Sequence, residues 1–212
     1  MLKVKKFIFN SFGENTYLVY NTSGEAVVID PGMSDSGEEK QFISFLNDNK
    51  LKIIGLINTH CHIDHISGNR FIADTFQVGL SAHQGEMLNI QIADQQAVLF
   101  GMPKSNTPVI SEFLEEGDEI KIDESSLKVL HTPGHTRGGI SLYAEKEGFI
   151  VCGDLIFRGS IGRVDLPGGD YDTILKSIMM KIFTLPENTI IYSGHGDETT
   201  VGFEKKFNPF FR

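Results

Sequence analysis

Cysteine is scarce in this chain: Cys61 and Cys152 are the only two among 212 residues. A disulfide framework and a four-thiolate zinc site are both excluded, and two thiols so far apart in sequence fit a reducing compartment. Basic residues are also in deficit. Nineteen Lys and Arg against 28 Asp and Glu leave a formal charge of -9, which gives no electrostatic support to a general nucleic-acid or anionic-membrane surface. No apolar run approaches the ~18 residues of a membrane span, and lysines interrupt the opening MLKVKKFIFN well short of a signal-peptide core. These absences predict a soluble, cytoplasmic protein with neither nucleic acid nor membrane as partner. Ser/Gly linkers, charge blocks and low-complexity segments are missing too, so one domain over residues 1–212 is expected. The 40% hydrophobic content supports a sizeable core for it.

What is present is a series of short apolar runs punctuated by Gly, Pro and Asp, the pattern of mixed α and β structure. Strands are predicted at Val4 to Phe9, Thr16 to Tyr20, Ala26 to Ile29 and Ile53 to Ile57, with Asp30-Pro31-Gly32 as a turn signal. Ser36-Gly37-Glu38-Glu39 has the form of a capping box opening a helix that ends near Asn49. A polar loop over His60 to His65 leads to a helix around Asn69 to Phe76. Further strands are expected at Glu119 to Ile122, Leu127 to Leu130, Ile140 to Tyr143, Phe149 to Cys152 and Thr189 to Tyr192. A helix from Tyr171 to Phe183, capped by Asp170, carries Ile174, Ile178 and Ile182 on one face. Gly101 to Ile110 reads as a surface connection.

Histidine is where the sequence concentrates its chemistry. His60, His62 and His65 share six positions with Asp64. In an extended segment alternate side chains share a face, so His60 and His62 can reach one ion while Asp64 and His65, where the chain bends, turn to another. His60, His135, Asp154 and His195 each fall just beyond the carboxyl end of a predicted strand, and glycine precedes the last three. Residues so placed converge on one crevice in α/β folds. Five imidazoles and two carboxylates suit zinc and also manganese or iron, and seven ligands are too many for one tetrahedral ion.

Thr59-His60-Cys61-His62-Ile63-Asp64-His65, Thr132-Pro133-Gly134-His135-Thr136, Gly153-Asp154 and Ser193-Gly194-His195 together resemble the metallo-β-lactamase superfamily over almost the whole chain. The stretch from Gly153 to Asp165 and the tail Asn208-Pro209-Phe210 resemble the small glyoxalase II-like hydrolases within it. The resemblance implies a four-layer αββα sandwich with metals at one edge. It also implies how the ligands sort: His60, His62 and His135 on a first divalent ion, Asp64, His65 and His195 on a second, and Asp154 between them beside a bridging hydroxide. Zinc is the expected metal, with iron or manganese as alternatives, and Asp64 is expected to be catalytic as well as a ligand.

Two divalent ions against Asp64, Asp154 and a hydroxide leave about one positive charge, which favours an electron-rich or anionic small molecule. A thiolate leaves without prior protonation, its reference pKa being near ~8.5, so a thioester suits a site lacking an obvious extra general acid. The implied substrate is S-(2-hydroxyacyl)glutathione or a related thiol ester. The longer glyoxalase II enzymes carry a C-terminal helical region that contacts glutathione, whereas this chain ends 17 residues after His195; Arg158 and Arg163 are the remaining candidates for holding a substrate carboxylate, or else pair internally with Asp165 or Asp170. Persulfide dioxygenases share the same motifs and use a single iron, here expected on His60, His135 and Asp154, which makes them the alternative reading. A nuclease is disfavoured by charge, and a secreted β-lactamase by His195, Asp64 and the opening segment. His83 and His131 are expected outside the site, both cysteines as small buried residues, and the phenylalanines of the tail in the core, at the entrance or at a subunit contact.

Overall fold

The computed structural model describes residues 1–212. Its first half is built on β1 (Lys3–Phe9), β2 (Glu14–Tyr20) and β3 (Glu25–Ile29), each antiparallel to the next. β4 (Lys52–Ile57), β5 (Leu80–Ala82) and β6 (Ile110–Phe113) then add in parallel, giving a six-stranded sheet in chain order. The second sheet runs β14-β13-β10-β9-β8-β7. Its strands are β7 (Glu119–Ile122), β8 (Ser125–His131), β9 (Ile140–Ala144), β10 (Phe149–Gly153), β13 (Ile190–Ser193) and β14 (Thr199–Thr200). A small hairpin, β11 (Ile156–Phe157) and β12 (Ser160–Ile161), lies apart from both.

Period-two alternation explains the layering. In β3, Val27 and Ile29 face the second sheet and pack with Leu127, Val129, Leu142 and Val151. Ala26 and Val28 face the other way, towards Phe42 and Leu46 of α1 (Ser36–Asn49) and Ile72 of α3 (Asn69–Phe76). The second sheet mirrors this arrangement: Ile150, Cys152 and Ile191 meet Ile174 of α5 (Tyr171–Ser177) and Ile178 and Ile182 of the wider π turn that continues it. The result is the αββα order of layers that the resemblance implies. No helix is long and apolar enough to cross a membrane.

Local chemistry departs from expectation in a few places. The cap of α1 is Asp35, whose carboxylate accepts from the N–H groups of Gly37 and Glu38, and Ser36 is the first helical residue. The loop after β4 closes into a helical turn, α2 (Ile63–Ile66), before α3 begins. Two helices lie beyond those expected, α4 (Met87–Phe100) and α6 (Val201–Phe207). Asp170 caps α5 through the Thr173 N–H, as expected. In the tail, Phe211 stacks edgewise on Phe183 at 4.8 Å and Phe203 packs on Phe207, while Asn208 donates to the Ser160 carbonyl.

At one end of the sandwich the sheets are stitched together. The Ile140 N–H donates to the Thr59 carbonyl (2.9 Å) and the Asn15 N–H to the Gly194 carbonyl (2.8 Å). Tyr17 Oη donates to the Ser193 carbonyl, and the Asn15 amide to those of Ser193 and Gly196. This seam carries the histidines.

Candidate metal centre

All seven candidate ligands sit on short segments that leave the strand ends at this seam. His60 and His62 follow β4, Asp64 and His65 lie in α2, His135 follows β8, Asp154 follows β10 and His195 follows β13. Backbone must approach backbone here. Gly153 has φ +52, and a Cβ there would strike the Thr59 side chain; a Cβ on Gly194 would strike the Asp154 carboxylate.

Two clusters of the expected ligands result, alongside a third group, Asp30, His60 and His65. Nitrogens of His60, His62 and His135 lie within 4.8 Å of one another, as do ligand atoms of Asp64, His65 and His195. Within the first, His62 Nδ1 is 2.9 Å from His135 Nε2. In the second, Asp64 Oδ2 lies 3.1 Å from His195 Nε2 and 3.6 Å from His65 Nε2. Asp154 stands between them, Oδ1 at 3.5 Å from His65 Nε2 and Oδ2 at 3.7 Å from both His135 Nε2 and His195 Nε2.

Three imidazoles are oriented by their far nitrogens. His135 Nδ1 donates to the Arg163 carbonyl (2.7 Å), His65 Nδ1 to Asp30 Oδ2 (3.3 Å) and His60 Nδ1 to Thr59 Oγ1 (3.2 Å), whose own hydroxyl donates to Asp30. Each therefore turns its Nε2 inward. His60 Nε2, His62 Nε2, His65 Nε2 and Asp154 Oδ1 are buried with no hydrogen-bond partner. Buried polar atoms left unpaired cost too much to be incidental, and four of them facing one space fit a donor set completed by metal ions.

The two clusters differ in charge. Burial, with the neighbouring His135, pushes His62 down to about 3, and burial with the surrounding imidazoles likewise lowers His60. His60 and His62 thus present neutral, ligand-ready nitrogens. Burial also opposes charge on His65 and His195, yet the Asp64 and Asp154 carboxylates outweigh it and raise both. The same attraction to His65 overcomes burial at Asp64 and Asp154 and lowers them, Asp154 strongly.

The two arginines fare differently. Arg163 borders the cleft over the candidate ligands, but its guanidinium is forked on Asp165 at 2.7 and 2.8 Å. Arg158 does not line that cleft; it is exposed, with its guanidinium 5.3 Å from the centre of the Phe203 ring, where the ring's electron-rich face attracts it. His83 and His131 stack on each other at 4.2 Å, away from the ligands. Sequence reasoning passed over Asp30, hidden in an Asp-Pro-Gly turn signal. It also missed Glu14, whose fully buried carboxylate accepts from Thr16 and lies 3.8 Å from His65 Nδ1. Burial pushes that carboxyl up.

Comparison with known proteins places this geometry in context. The sequence profile of the metallo-beta-lactamase superfamily matches residues 10–195. Hydroxyacylglutathione hydrolase GloC of Haemophilus influenzae is 34% identical over 94% of this chain and 93% of its own length. The crystal structure of the BLEG-1 B3 metallo-beta-lactamase superposes with a TM-score of 0.90 at 35% identity, covering 100% of this chain and 99% of that one. TTHA1623 in a di-iron-bound form gives a TM-score of 0.86 at 32% identity over 97% and 99% of the two chains.

Proposed function

This chain belongs to the metallo-beta-lactamase superfamily, and from that premise we propose that it is a dinuclear metal-dependent hydrolase of thioesters, S-(2-hydroxyacyl)glutathione or a related small thiol ester. The observation that carries the reading is the Asp154 carboxylate, which reaches toward both ligand clusters with one oxygen unpaired. His60, His62 and His135 would hold one divalent ion, Asp64, His65 and His195 the other. Such ions supply a hydroxide at neutral pH and polarise a carbonyl.

The chain's own groups do the rest. Asp30, Thr59 and the Arg163 carbonyl fix which imidazole nitrogen faces the centre, so no ligand must reorient during turnover. The Asp64 carboxylate, 14% exposed, lines the cleft and would orient the attacking water there. The ligand-bearing loops exclude bulk water from one side of the scissile carbonyl. A thiolate then departs without a proton, which suits a cleft that presents no further general acid.

The test is metal analysis of protein purified without added metal or chelator, followed by a substrate panel. Close to two ions per chain and chelator-sensitive cleavage of S-lactoylglutathione or another thioester are expected, with Asp64→Asn losing most of the rate. One iron per chain with oxygen uptake on persulfides would replace this reading with a dioxygenase. The likeness to BLEG-1 makes a chromogenic cephalosporin the necessary third substrate: its cleavage in preference to every thioester would make the chain a β-lactamase.

A further inference from the structure

The cleft above the ligands has a volume of about 190 Å³, a little more than the engineered cavity of roughly 150 Å³ that holds benzene in another protein. Four of its lining side chains are apolar: Phe12, Ile63, Phe100 and Leu166. The two phenyl rings come from separate turns, Phe12 from the β1–β2 connection and Phe100 from the last turn of α4, and meet edge to face at 6.0 Å. Both are about two-fifths exposed, at 43% and 42%. Small residues on the buried face of α4 make this possible. Ala93 and Ala97 let the helix lie close against Cys61, Ile63 and Ile66 of the ligand loop, which brings Gln96 and Phe100 to the cleft.

The polar groups are as telling. Arg163 is the one Lys or Arg on the lining, and its Nε and Nη2 are bonded to Asp165. An anionic substrate arm would meet a guanidinium whose charge that carboxylate already largely offsets. Gln96 Oε1, by contrast, is buried and has no partner, the condition of an acceptor that a ligand completes.

Resting on the hydrolase reading above, we infer that the acyl half of the substrate is an uncharged, apolar group of about phenyl size, clamped by Phe12 and Phe100 against Ile63 and Leu166, with Gln96 accepting a hydrogen bond from a hydroxyl beside the carbonyl. The cleft selects the acyl group by shape and apolar contact and leaves the thiol carrier outside.

The experiment uses N-acetylcysteamine thioesters, whose uncharged carrier is constant, with the metal-loaded protein. Phenylacetyl is expected to exceed acetyl in kcat/KM by at least tenfold and succinyl to fall below butanoyl. Phe100→Ala and Phe12→Ala should erase the phenylacetyl advantage, chiefly through KM, with a smaller loss on acetyl. Asp165→Ala, which frees Arg163, should raise succinyl turnover. Mandeloyl should exceed phenylacetyl in the parent, and Gln96→Leu should bring the two together. Succinyl cleaved as well as butanoyl, equal losses on every acyl group in Phe100→Ala, or no mandeloyl preference would overturn the inference while leaving the hydrolase intact. Should no thioester be cleaved, the hydrolase reading fails. The clamp is then judged by calorimetry: phenylacetate binding tenfold tighter than acetate, and not in Phe100→Ala, upholds it, and equal binding overturns it.

Discussion

Asp30 holds two of the metal-facing imidazoles at once, His65 directly and His60 through the Thr59 hydroxyl, and its other oxygen accepts from the Thr59 N–H (2.7 Å). Removing its charge loosens both ligand clusters without touching an inward-facing nitrogen. Asp30→Asn is expected to weaken metal binding by about 10–100-fold, the usual effect of losing a group that orients a ligand, with the fold retained. Competition against a chromogenic chelator measures it, and unchanged affinity would refute the role. The seven ligand-type residues were legible because four lie within six positions and three follow glycines at strand ends. Asp30 and Glu14 were not, since nothing local marks a carboxylate as buried; only the packing of β2 and β3 under the ligand loop does so. Arg158 shows the converse. Its place in a glycine-rich stretch after Asp154 suggested the substrate, and the aromatic ring of Phe203, 45 positions away in sequence, claims it.

Elements with clean periodicity were read from the sequence almost to the residue. The alternation of β3 and the i, i+4, i+8 isoleucines of α5 follow from burial of a defined face, and the structure buries those faces. α4 escaped notice because apolar residues surround it: Met87, Leu88, Val98, Leu99 and Phe100 are exposed, while its inward face is alanine and Asn89. A helix packed by small residues carries no apolar stripe to read. Two predictions belong at this scale. Ile178 is fully buried between the π turn and the second sheet, so Ile178→Ala should destabilise the protein by about 2–5 kcal/mol in denaturant unfolding; a loss well under that would mean the layer re-collapses freely. The second concerns acid. Hydrogen bonding to the Thr173 side chain and N–H holds the Asp170 carboxyl below its usual range. Its folded pKa is thus depressed, and the cap's charge-dependent contribution is complete above the unfolded value and lost as pH falls through the folded one. Asp170→Asn, which keeps a capping oxygen, should differ in Tm from the parent at pH 7, and the gap should close as the pH falls through the titration of the folded carboxyl; a constant gap would contradict the assignment.

Across the whole molecule, the first sheet's loops bring His60, His62, Asp64 and His65, and the second sheet's bring His135, Asp154 and His195. Bound ions therefore stabilise the closed sandwich over its separated halves. Chelation should lower Tm by many degrees, and zinc, manganese or iron should restore it in a concentration-dependent way, as read by calorimetry; a Tm indifferent to metal would show that the hydrogen bonds of the seam close it without ions. The sandwich itself was only partly legible, because strand order and the pairing of two sheets depend on contacts far apart in sequence, and the resemblance supplied what the pattern did not.

The division of the candidate ligands between the sheets would make a metal centre here a checkpoint on assembly. Neither of the two expected clusters is complete within one half: His60 and His62 lack His135, and Asp64 and His65 lack His195. On the hydrolase reading proposed above, a chain whose sheets have not closed holds neither expected cluster whole, so the onset of activity would report closure of the sandwich.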